Sequence, residues 1–134
     1  MKEITLSNGM KPVNPLGTCF DSAGKVLLDC LMHYGFSPTM CHGTGISNLP
    51  GERREPMAHA WLEFNMKGIR VALDPIWMIA MPVKKYRRDL KLKYVVEYPA
   101  QEFVVLWKKA KNPGPYDPKI QALTKEGKAA NDKR

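Results

Sequence analysis

The chain has 134 residues, 44% of them apolar, with 12 aromatics among its Phe, Trp and Tyr residues. That is enough for one hydrophobic core and too little for a two-domain enzyme, and a 25% charged fraction excludes wholesale disorder. Twenty-one basic against 13 acidic residues give a net charge of +8. Five of those net charges fall within residues 108–134, where eight basic side chains face three acidic ones. The excess is therefore concentrated at one end, which weakens a nucleic-acid reading of the whole surface.

No apolar run approaches the roughly 18 residues that span a bilayer, so no membrane partner is expected. The opening Met1-Lys2-Glu3-Ile4-Thr5 lacks the apolar stretch of a secretory signal, which points to a cytoplasmic protein. Cys19, Cys30 and Cys41 are an odd number, in keeping with a reducing compartment rather than a disulfide framework.

Residues 1–17 are dense in turn formers (Asn8-Gly9, Pro12, Asn14-Pro15, Gly17) and read as a loop. A helix follows, with Thr18 as N-cap, Asp21 in the first turn, and apolar residues at Phe20, Ala23, Leu27, Cys30 or Leu31, and Tyr34. Gly35 provides its left-handed stop and Pro38 prevents continuation. A short strand over 39–42 then feeds a long loop, 43–55, whose glycines and charged tip Glu52-Arg53-Arg54-Glu55 suit a gate over a cleft.

Residues 57–64 and 69–73 alternate in polarity around Asn65-Met66-Lys67-Gly68, the signature of a β-hairpin. His59, Trp61 and Glu63 share one face, and Glu63 reads as a solvated strand end. A two- or four-residue loop pairing Asn65 with Gly68, or Phe64 with Ile69, sets His59 opposite Asp74, close enough for an imidazole–carboxylate hydrogen bond. Further strands are expected over 77–83 and 94–98. The run Lys84-Lys85-Tyr86-Arg87-Arg88 between them reads as a connection with a solvated face, offering weak contact to nucleic acid or an acidic partner. A helix carrying Phe103, Leu106, Trp107 and Ala110 is stopped by Asn112-Pro113-Gly114-Pro115. The whole reads as a single domain over 1–122 with a basic, disordered tail over 123–134.

Chemistry concentrates on three residues. A cysteine in the first turn of a helix has its thiolate stabilised by unpaired backbone N–H groups, and a nearby imidazolium lowers its pKa further. Cys19 occupies that place. His59 can take the thiol proton, and Asp74 can fix the imidazole's tautomer. Cys30 and Cys41 read as structural. Cys30-x-x-His33 with Cys41-His42 offers four zinc-type ligands, but the spacing turns them apart, and neither a metal nor a cofactor is expected.

Gly17-Thr18-Cys19 at a helix start, the turn through Pro38, His59-Ala60-Trp61-Leu62-Glu63 and Leu73-Asp74-Pro75 resemble the three blocks of the transglutaminase-like superfamily. The resemblance covers about residues 16–76. One departure is Thr39-Met40, where the superfamily often carries arginine. It implies an α+β fold with a papain/transglutaminase-like core, the cysteine helix packed on a small antiparallel sheet bearing His59 and Asp74. It also implies a Cys19–His59–Asp74 triad acting on a peptide or carboxamide bond of a protein or peptide substrate through a thioester. The oxyanion would be held by the Cys19 N–H and a second donor, with Asn14 or the Trp61 indole as candidates. The competing expectation is a non-catalytic binding module that uses its basic surface.

Overall fold

The computed structural model describes residues 18–46 and 56–124. Asn14, the charged tip at 52–55 and tail residues 125–134 lie outside the described residues, as do positions 47–55 of the expected gate loop. Helix α1 (Cys19–Asp29) continues through a π-helical turn (Cys30–Tyr34). Strands β1 (Thr39–Ile46), β2 (Pro56–Met66), β3 (Ile69–Asp74) and β4 (Ile79–Pro82) follow, then α2 (Val83–Asp89), β5 (Tyr94–Tyr98), α3 (Ala100–Ala110) and the short α4 (Pro118–Gln121). The architecture is α+β, around one antiparallel five-stranded sheet in the order β4-β3-β2-β1-β5. No helix among the described residues is long and apolar enough to cross a membrane.

Helix α1 forms because Cys19, Ala23 and Leu27, four residues apart, make one buried stripe. Gly35, at φ 71°, ends the helical run as its sequence position suggests. The expected stripe fails at Tyr34, which is 73% exposed, because the π turn advances the chain by less rotation per residue and swings Tyr34 out of register. Cys30 remains buried.

Alternation along the strands sorts the core into two layers. Met40, Ala60 and Leu62 face α1 and α3, where Cys19, Ala23, Leu27, Ala100 and Phe103 pack against them. Their sequence neighbours Cys41 and Trp61 point to the opposite face, with Ala72, and are covered by Tyr86 and Leu90. Helix α2 thus lies on one side of the sheet and α1 with α3 on the other. Leu27 and Leu62 are fully buried, and each contributes about 1.5–3 kcal/mol by leaving water.

Three expectations are corrected. Strand β1 runs on to Ile46, so Gly43–Ile46 belong to the sheet and not to a loop: these residues complete the ladder to Pro56. The β2–β3 register pairs Met66 with Ile69 and Leu62 with Leu73, two residues away from the expected one. Lys67 and Gly68, at φ 50° and 82°, form a two-residue turn with both residues left-handed, which matches the twist of a hairpin. Asp74 is therefore diagonal to His59 and not opposite it. A shift of two keeps every side chain on its face, so the two remain neighbours. Finally, the basic run at 84–88 lies within helix α2 and is not an irregular connection: Lys84, Lys85 and Arg88 keep the solvated face expected of it, while Tyr86, with Leu90 just beyond, fills the second core layer.

Candidate active site

The β2–β3 ladder stops at Leu62 and Leu73. Beyond it β2 continues against β1 alone, while Asp74 pairs with Ile79 of β4. His59 stands beside the opening between β2 and β3. Helix α1 begins there: Thr18 occupies the N-cap without a side-chain capping bond, its carbonyl accepts the Ser22 N–H at 2.8 Å, and Cys19 is the first helical residue. The Cys19 N–H thus has no acceptor within the helix, as for any residue of a first turn.

The structure brings Cys19, His59 and Asp74 together. His59 Nε2 lies 3.1 Å from Asp74 Oδ2, and the Cys19 thiol is close enough to the same ring to help raise its pKa. Asp74 Oδ1 accepts the Ile76 N–H at 2.8 Å, which fixes the carboxylate plane. His59 is 7% exposed, Asp74 3% and Cys19 8%, so the cluster is screened from water yet reaches the surface at its edge. Burial by itself would lower the His59 pKa. The hydrogen bond and charge of Asp74, together with Cys19, more than reverse that and raise it to about 10. Burial likewise pushes the Asp74 carboxyl up, but His59, the Tyr86 hydroxyl and the Ile76 N–H hold it below the ordinary range. The arrangement favours a charged imidazolium and carboxylate beside a thiol at a helix start, which is what a nucleophilic cysteine requires.

Two further residues belong to this cluster and were not anticipated. The Tyr86 hydroxyl donates to Asp74 Oδ2 at 2.7 Å and lies 2.8 Å from His59 Nε2. Its sequence signal was the spacing Val83, Tyr86, Leu90, a helical apolar stripe hidden in a lysine- and arginine-rich stretch. Glu63, expected to be solvated, is fully buried. It accepts the Trp61 indole N–H at 2.8 Å, the Arg87 Nε and Nη2 at 2.9 and 2.8 Å, and the Arg70 Nε at 3.2 Å. A carboxylate with four N–H partners no longer needs water, which is why it tolerates the interior.

Trp61 stacks on His59 with ring centroids 5.9 Å apart and an 18° interplanar angle. Its indole N–H is committed to Glu63, so in this arrangement it is turned away from the oxyanion role considered for it. The four zinc-type ligands are not assembled. His33 is exposed, and Cys41 and His42 point to opposite faces of the sheet. Among the described residues one other group, Cys41, Glu63 and Glu97, has ligand atoms within 4.8 Å of one another. There Arg87 and Arg70 already compensate the carboxylates, and burial followed by the Glu63 charge pushes the Cys41 thiol well up. No family model, curated protein or solved structure matches the chain.

Proposed function

We propose that the protein is a cysteine-dependent acyl-transfer enzyme, with a papain-like core and a transglutaminase-like triad, acting on a peptide or carboxamide bond. The observation that carries this reading is the contiguity of the Cys19 thiol at a helix start, the His59 ring and the Asp74 carboxylate within one buried cluster. Nε2 faces Asp74, so Nδ1 is the ring atom left for the thiol.

Proton transfer to that nitrogen gives a thiolate–imidazolium pair. The sulfur attacks the substrate carbonyl carbon, a C–S bond forms, and the oxyanion is met by the Cys19 backbone N–H. The C–N bond then breaks as the His59 imidazolium gives its proton to the departing amine nitrogen, leaving a thioester. Water or a second amine attacks the thioester carbon and loses a proton to His59, and the C–S bond breaks as His59 passes that proton to the departing sulfur, restoring the thiol. Water gives a carboxylic acid, and an amine gives a new amide.

The test uses p-nitrophenyl acetate as the acyl donor for the full chain. Release of p-nitrophenol, with the mass of one acetyl group appearing on the Cys19 peptide, is the expected result, and Cys19→Ala and His59→Ala should each abolish both. Acetylation spread evenly over the three cysteines, or persisting without His59, would return the chain to a binding module.

A further inference from the structure

We propose that Tyr86 is a positioning residue of the Cys19–His59–Asp74 site, its hydroxyl fixing the proton of His59 on Nε2 so that Nδ1 faces the thiol as the base. This rests on the acyl-transfer reading and extends it to a residue on a helix that carries no part of the triad.

The proton positions follow from which atoms can donate. Asp74 Oδ2 is reached by two groups, Tyr86 Oη at 2.7 Å and His59 Nε2 at 3.1 Å, while Tyr86 Oη and His59 Nε2 lie 2.8 Å apart. Three mutually close polar atoms permit few proton arrangements. A carboxylate only accepts, so the Tyr86 O–H proton and the Nε2 proton both point toward Oδ2. With its own proton committed to Asp74, the tyrosine oxygen still has lone pairs, and these accept from Nε2–H at the shorter of that proton's two distances. Nε2 is therefore protonated whether the ring is neutral or charged. A phenolate would break this scheme, but burial first, and the Asp74 charge next, raise the Tyr86 pKa well above its ordinary value and keep the hydroxyl protonated.

The ring of Tyr86 is itself held. It lies 6.4 Å from the His59 ring and 5.7 Å from Trp61, and is 3% exposed. Its chain neighbour Arg87 grips Glu63 with two N–H groups, and Glu63 in turn holds the Trp61 indole that stacks on His59. Helix α2 thus meets the site at two successive residues, one directing the imidazole through hydrogen bonds and one through the wall behind it. Second-tier contacts of this kind restrict a catalytic ring to the orientation the chemistry needs.

The experiment measures the rate of iodoacetamide alkylation at Cys19 against pH, by peptide mapping, in wild type, Tyr86→Phe, His59→Ala and the double variant. Phenylalanine keeps the ring and removes only the hydroxyl. One hydrogen bond to a charged group corresponds to about one pH unit or more, so the acid limb should move up by about one unit and the rate at pH 6 fall about tenfold. In the His59→Ala background the hydroxyl should make no further difference, because it acts through the imidazole. A Tyr86→Phe profile superimposable on wild type overturns the assignment and leaves the acyl-transfer reading standing. Equal loss in both backgrounds overturns it in favour of packing alone. If wild-type Cys19 reacts as an ordinary thiol, the acyl-transfer reading fails and the assignment falls with it. Should Tyr86→Phe not fold, 15N NMR of the wild-type His59 ring above pH 10, where the ring is neutral, reads the position of its remaining proton: Nε2 is expected, and Nδ1 overturns the assignment.

Discussion

Replacing His42 by leucine should remove an acid sensitivity built into the core. His42 is fully buried, and among the described residues neither ring nitrogen has a hydrogen-bond partner. Its ring is enclosed by Phe20, Tyr98, Phe103 and Tyr116 at centroid distances of 4.8, 5.2, 5.7 and 6.0 Å. Gly114 closes the remaining side so tightly that a Cβ there would sit 2.6 Å from His42 Cε1. Burial lowers the His42 pKa from 6.5 to about 3. Between those values the unfolded chain takes up a proton that the folded one refuses, so stability is lost as the pH falls through 6.5 and keeps falling toward 3. Each unit is worth about 1.4 kcal/mol once the unfolded histidine is mostly charged, which amounts to about 2 kcal/mol between pH 7 and pH 5. Urea unfolding at the two pH values, in wild type and His42→Leu, isolates this contribution, since His59 and the carboxylates are common to both. The variant should lose about 2 kcal/mol less than wild type over the interval. Equal losses would show that His42 is solvated or paired, and the reasoning from its aromatic enclosure would be wrong.

Two other outcomes follow from the buried charges. Glu63→Leu orphans the Trp61 indole N–H and leaves Arg87 and Arg70 to rehydrate from partly exposed positions, so urea unfolding should report a loss of about 2–3 kcal/mol, below the full cost of breaking a sealed ion pair. The His59 pKa, which burial depresses but Asp74 and Cys19 raise to about 10, lies above the unfolded value of 6.5. The stabilisation it brings is complete below pH 6.5 and disappears as the pH climbs toward 10. Urea midpoints at pH 7 and pH 9 should show that decline in wild type and a much flatter response in Asp74→Asn.

Much of this was legible in the chain because local signals and tertiary packing agree there. The four-residue spacing of Cys19, Ala23 and Leu27 and the stop at Gly35 define α1 without reference to anything distant. The alternation through His59-Ala60-Trp61-Leu62-Glu63 gives the facing of β2 correctly. The hairpin register slipped by two because Lys67 takes a left-handed conformation that its side chain disfavours and that hairpin twist nevertheless demands. Facing survives such a slip, so the proximity of His59 and Asp74 was readable even though their pairing was not. Glu63 and Tyr86 were missed for a common reason. A buried carboxylate becomes tolerable only through Arg87 and Arg70, and a tyrosine in a basic run becomes core only through the sheet it covers, and both are long-range facts.

The proposed acyl transfer requires Cys19 to be the reactive half of a thiolate–imidazolium pair, and Cys30 and Cys41 supply the internal standard. Burial raises the pKa of both, so they remain protonated and slow at neutral pH. The direct measurement is the alkylation rate of each cysteine between pH 5 and pH 9, in wild type and His59→Ala. Cys19 should outpace the other two below pH 7 and lose that advantage when His59 is removed. A Cys19 rate that rises only near the ordinary thiol pKa of about 8.5, unaffected by His59, would contradict such a pair.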